Sequence, residues 1–126
     1  MPEHLAGRVP ARVVIVGFAL MLAHNLDEAF GHPEAGGRRN LVATAVLGVV
    51  VVVLYRRLGR WWRAGLTGLV GLAAAVEGFV GHVWHLVVGG AAPLDYSGIL
   101  YLFGGLVLLG TGIAEARGLH APPLVS

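Results

Sequence analysis

The sequence predicts an all-α polytopic membrane protein, a single membrane domain (1–126) folded as a four-helix transmembrane bundle. Three observations predict it. Hydrophobic residues make up 56% of the chain and charged residues 13%, with a mean hydropathy of +0.76, outside the balance of a soluble domain. The apolar residues fall into four runs, 13–30, 41–58, 64–90 and 94–114, close to the ~20 residues a helix needs to cross hydrocarbon. All nine basic residues are arginine, and nearly all flank those runs.

The first dozen residues are polar and Pro-containing, which suits the interface. The first span, 13–30, competes with a secretory signal peptide in which Arg8 and Arg12 form the basic region and Ala23 precedes a cleavage site. Helical spacing that runs on unbroken through His24–Glu28 favours a span. The second span carries the block Val49–Leu54, and Leu58 extends it. The third is long enough to cross with tilt. Glycine and alanine are frequent in the third and fourth spans, where small residues let membrane helices approach closely. They also make a homodimer a natural expectation. The tail, 119–126, with Pro122 and Pro123, reads as flexible.

Arginine sets the orientation. With four spans, Arg8, Arg12, Arg56, Arg57, Arg60, Arg63 and Arg117 share one side, and only Arg38 and Arg39 lie on the other. The positive-inside rule makes both termini cytoplasmic, in a membrane of the bacterial inner type. Trp61 and Trp62 read as interface anchors. The sequence pI of about 9.7 is explained by this topology and calls for no nucleic-acid partner; the bilayer is the partner. The chain contains no cysteine, which excludes disulfides, thiolate chemistry and Cys-based zinc sites.

The chemistry concentrates at Met21–Glu28. On a regular helix at about 100° per residue, His24, Asp27 and Glu28 project from one face and Leu22 and Leu26 from the other. At a rise of about 1.5 Å per residue, His24–Glu28 lie roughly 16–22 Å into the first span, and Glu77, His82 and His85 roughly 20–31 Å into the third, which runs parallel to it. Nothing in the composition requires that agreement. It joins the two groups in one candidate site in the outer half of the membrane. Ionisable side chains at such depth are costly and face a protein interior or a watery cavity.

Histidine and carboxylate are the expected metal ligands where cysteine is missing. The reading therefore assigns His24, Asp27, Glu28, Glu77, His82 and His85 to a divalent metal (zinc, iron or copper), with Glu77, His24, Asp27 and Glu28 as the catalytic set. Di-iron carboxylate bundles offer a fold-level analogy. The histidine-box hydroxylases do not, because two of the six histidines, His4 and His120, sit near the termini. Each residue also has a structural reading. His24 suits an interhelical hydrogen bond, Asp27 and Glu28 a helix end among headgroups, and His82 and His85 an interfacial pair. His32 begins a loop, Asp95 reads as a helix cap and Glu115 as a solvated terminus. Trp84, Tyr96 and Tyr101 read as belt or packing residues.

The stretch HNLDEAF resembles the membrane proteins of the HXXEE-motif family, whose hallmark is His, two variable residues and two acidic residues near the N-terminus. His24 matches the first position and Asp27 and Glu28 the last two. Asp27 stands where the family usually has Glu, a carboxylate one methylene shorter. The resemblance covers this motif and the small multi-helix hydropathy pattern; it implies a functional polar site and names no substrate.

The expected function is a membrane-embedded enzyme acting on a lipophilic small molecule, with a metal that polarises an oxygen or activates water. One alternative is a metal-free isomerase or cyclase that uses a carboxylic acid and a histidine. Another is proton or metal-ion transport, and a last is a small subunit of a larger complex. The inner halves of the spans, featureless apart from Thr67, Thr111 and glycine, argue against a continuous transport path.

Overall fold

A computed structural model describes residues 9–118. The expected flexible tail 119–126, His4, Arg8 and His120 lie outside the described residues. Four helical rods make up the chain. The first is α1 (Ala11–Leu26), continued by a π-helical turn at Asp27–Gly31, and the second is α2 (Gly37–Arg57). The third is α3 (Arg60–Gly78), with a π turn at Phe79–Val83 and a short α4 (Trp84–Val88); α5 (Pro93–Arg117) is the fourth. All four are long and apolar enough to cross a membrane. The chain is an all-α, integral membrane four-helix bundle.

The rods outrun the apolar stretches of the sequence because their terminal polar groups find partners. The third begins at Arg60 instead of 64: Arg60 donates from Nε to the Glu115 carbonyl at 2.6 Å, and Arg63 reaches the Glu115 carboxylate. The second begins at Gly37 instead of 41, after Gly36 turns the chain at φ 82. Gly37 then lies against the Glu28 carbonyl, where any Cβ would strike backbone. The third ends at Val88 because Gly89 takes φ 91, out of helical space.

α1 and α5 lie side by side at the centre, with α2 against α1 and α3 along α5; α2 and α3 barely touch each other. Backbone-to-backbone approach sets the tightest seams. A Cβ on Gly71 would meet the backbone of Leu109 and Gly105, and one on Gly105 would meet that of Ala74 and Ala75. Gly17 and Gly104 do the same between α1 and α5. Such seams suit a bilayer, where packing and not the hydrophobic effect holds helices together. Val14, Phe18, Met21, Val51, Ala74 and Leu108 fill the middle, while Trp61, Trp62 and Leu69 point outward.

The Arg-rich end corrects two expectations. Glu115 is no solvated terminus; it is fully buried. Its Oε2 accepts from Arg63 Nη2 at 2.9 Å, and its Oε1 accepts from Tyr55 Oη at 2.8 Å and from the Val9 N–H at 3.0 Å. α2, α3, α5 and the residues leading into α1 are thus tied at this end through one carboxylate. This half of the bundle is not featureless either. Thr67 and Thr111, however, bond only within their own helices, to the carbonyls of Arg63 and Val107.

Candidate functional site

At the opposite end, the last turns of α1 and of the α3 rod and the first turns of α2 and α5 come together. The polar residues of the first and third spans meet there, as the depth argument expected. Both rods also widen at this level, at Asp27–Gly31 and at Phe79–Val83. In the first turn the His32 N–H closes on the Asp27 carbonyl at 2.7 Å, five residues back. A π turn adds a residue per turn, re-aims the side chains that follow and is frequent at functional sites. Gly31 permits this one, since a Cβ there would collide with Asp27 Oδ1.

His24 is the centre of the arrangement, 2% exposed. Its Nδ1 lies 2.9 Å from Ser97 Oγ, and the Ser97 hydroxyl donates to Asp27 Oδ2 at 2.6 Å. With the hydroxyl hydrogen committed to Asp27, the bond between His24 and Ser97 is made by an Nδ1–H donor. This tautomer leaves Nε2 as the free lone pair, 3.9 Å from Glu28 Oε2. Asp27 Oδ1 in turn pairs with His32 Nδ1 at 2.7 Å. The His82 ring meets that of His24 edge to face, centroids 4.4 Å apart, and the Tyr101 ring does so at 5.7 Å.

Glu28 is braced from α2, accepting from Asn40 Nδ2 at 2.8 Å. Asn25, also 2% exposed, donates to Thr44 Oγ1 at 2.5 Å and to the Asn40 carbonyl at 3.2 Å. On the other flank, Asp95 Oδ1 takes both His82 Nδ1 at 3.0 Å and His85 Nδ1 at 3.3 Å. Asp95 Oδ2 meanwhile accepts the Ala92 N–H at 2.8 Å. Asp95 is therefore the helix cap the sequence suggested and, beyond that, the buried anchor of two histidines.

His24, Asn25, Glu28, Asn40, Thr44, Glu77, His82 and Tyr101 line a cavity of about 350 Å³. Glu77 is exposed on α3 where α2 and α3 stand apart, and it interacts with Tyr101. A second, outer vestibule of about 670 Å³ is lined by His32, Glu34, His82, His85 and Asp95 among others. His82 and Glu34 border both spaces.

The sequence-predicted residues thus gather at one end of the bundle but divide into two groups. His24, Glu28, Glu77 and His82 share the inner cavity; Asp27 and His85 sit on the vestibule side, bonded to His32 and Asp95. Among the described residues no group of three or more His, Asp or Glu side chains is disposed to hold a metal ion. The Nδ1 atoms of His24, His32, His82 and His85 are engaged with Ser97, Asp27 and Asp95. The π turns shift the angle of every residue after them away from the regular 100° spacing.

Asn25, Asn40, Thr44 and Ser97 are contributors the sequence reading passed over. A signal was present for Ser97 and Asp95. The fourth span runs antiparallel to the third, so its first turn must lie at the depth of His82 and His85. No family model, no curated protein and no solved structure matches this chain.

Proposed function

We propose that this protein is a membrane-embedded acid–base enzyme, an isomerase or cyclase, acting on the functionalised end of a lipophilic molecule. The observation that carries the reading is the orientation of His24. Asp27 and Ser97 hold its Nδ1–H, so its Nε2 is presented as a base beside Glu28 and the cavity. A histidine held in one tautomer by a carboxylate-backed partner is the arrangement general-base catalysis requires.

Glu77 and Tyr101 stand across the cavity from α1. In its protonated form Glu77 delivers a proton to one substrate atom while His24 Nε2 removes one from another, with no net change in composition. The substrate comes in from the bilayer between α2 and α3, which barely touch. The cavity is lined almost wholly by polar side chains, so it receives the reactive head while the apolar tail stays in lipid. Transport is less well supported, because the apolar layer of Val14, Phe18, Met21, Val51 and Leu108 separates this site from the Glu115 cluster at the other end.

The test uses full-length protein in lipid nanodiscs with an extract of neutral lipids in D₂O, followed by mass spectrometry. Deuterium enters a discrete lipid with the parent and fails to do so with His24→Ala or Glu77→Gln. Wash-in that disappears on exhaustive chelation favours the divalent-metal reading instead. Wash-in untouched by both substitutions ends the proposal. The Arg-rich end is assigned to the cytoplasm, as the positive-inside rule directs. Because the chain has no cysteine, Gly59→Cys and Ala91→Cys report the two faces to an impermeant maleimide. Labelling of Ala91→Cys alone in intact cells is expected.

A further inference from the structure

We propose that His24 exchanges its proton with the outer aqueous face along Ser97, Asp27 and His32, and not through the cavity. The catalytic meaning of this route rests on the acid–base reading; the route itself rests on geometry. A buried base that accepts a proton must also lose it. Substrate filling the cavity would block Nε2, and the ring edges of His82 and Tyr101 lie against His24. The Nδ1 side is different. From His24 Nδ1 an unbroken series of hydrogen bonds of 2.9, 2.6 and 2.7 Å runs through Ser97 and Asp27 to His32 Nδ1. The His32 side chain is 54% exposed and lines the outer vestibule. Three residues therefore connect an almost fully buried imidazole to bulk water.

The step balances. Protonated His24 gives its Nδ1 hydrogen to Ser97 Oγ as the Ser97 hydroxyl hydrogen passes to Asp27 Oδ2. Rotation of the protonated Asp27 carboxyl then presents that hydrogen to the Nδ1 lone pair of His32 in its Nε2–H form, and His32 yields its Nε2 hydrogen to vestibule water. The Nδ1–H left behind is the donor that pairs with Asp27 Oδ1, and solvent exchange at the half-exposed ring restores the Nε2–H form. His24 is left neutral in the Nε2–H form. It becomes a base again when the Nε2 hydrogen returns through the emptied cavity to the carboxylate of Glu77 while a proton from vestibule water runs the series in reverse and restores Nδ1–H. The groups facing this series are Glu28 on the π turn after α1, Glu34 in the loop before α2, His82 and Tyr101 beside the His24 ring, and Asp95 on α5. The neighbouring His85–Asp95–His82 series reaches His24 only through a ring contact. It offers no hydrogen bond along which a proton can pass.

The experiment is histidine-selective ¹³C/¹⁵N NMR of the full chain in phosphatidylcholine nanodiscs, without substrate, with His24 assigned by loss of its signals in His24→Gln. Through its titration the parent shows one exchange-averaged set of His24 ring signals. His32→Gln, a change at a half-exposed side chain that leaves the packing alone, slows exchange by roughly tenfold or more and splits the signals. Ser97→Ala does the same, Ser97→Thr restores fast exchange, and His85→Gln leaves it fast. Exchange at the parent rate in folded His32→Gln, or slow exchange in the parent itself, overturns the route. Failed deuterium wash-in with the expected NMR result removes the acid–base reading alone. Intact wash-in with unchanged exchange in His32→Gln removes the proton route alone.

Discussion

His24 of α1 and His82 of the α3 rod meet edge to face, ring centroids 4.4 Å apart and planes at 69°. Their helices are separate spans, and the contact is made on the surface of a third, α5. Gly98 is what allows it: a Cβ on Gly98 would stand inside the His82 ring.

Gly98→Ala is therefore expected to displace His82 from Asp95 and His24 and to destabilise the bundle by about 1–3 kcal/mol, the usual range for overpacking. Thermal unfolding in detergent, followed by circular dichroism, measures it. Gly110→Ala is the control, because a Cβ there has open space around it. Equal melting temperatures for the two variants would contradict the role given to Gly98.

Asn25 clamps α1 to α2 through Thr44 and the Asn40 carbonyl. Asn25→Leu keeps the volume and leaves both acceptors without this donor in a buried setting. A loss of about 1–3 kcal/mol is expected. Thr44→Val on top of it should recover part of that loss, since it removes one orphaned group. A double variant no more stable than the single one would show that the clamp contributes little.

Arg63 and Glu115 form a buried pair, their side chains 6% and 0% exposed. Removing one partner strands the other, so Arg63→Met or Glu115→Gln alone should cost about 3–5 kcal/mol. The double variant is expected to cost less than the sum of the two. Strict additivity in unfolding measurements would mean that the two charges do not act as a unit. Deuterium wash-in, once normalised to folded protein, should hardly change, because the pair lies at the opposite end from His24.

Glu77 offers the cleanest separation of stability from chemistry. It is exposed at the gap between α2 and α3, so Glu77→Gln should shift stability by no more than about 0.5 kcal/mol. Wash-in should fall by roughly 10²–10⁴-fold, the contribution typical of a positioned acid. A variant that keeps full wash-in removes Glu77 from the mechanism. One that unfolds shows that its role is structural.

Four spans and a polar cluster at one end of the bundle were legible in the residues alone. The reason is that the bilayer imposes its own rules. Crossing it demands about twenty apolar residues, and polar groups within it must gather. The shared depth of His24–Glu28 and of Glu77–His85 then follows from counting at a constant rise. What each polar group touches was decided by the tertiary structure. Glu115 has the sequence context of a frayed end, yet α5 returns it to Arg63 and Tyr55 from other helices. Asp95 looked like a cap and proved also to anchor His82 and His85. Ser97 has no signature of its own until α5 brings its hydroxyl against both His24 and Asp27. Rise along a helix is nearly constant, so depth can be counted from sequence. Angle is not, because two π turns and the packing of neighbouring helices set it, and the pairing of donors with acceptors depends on angle.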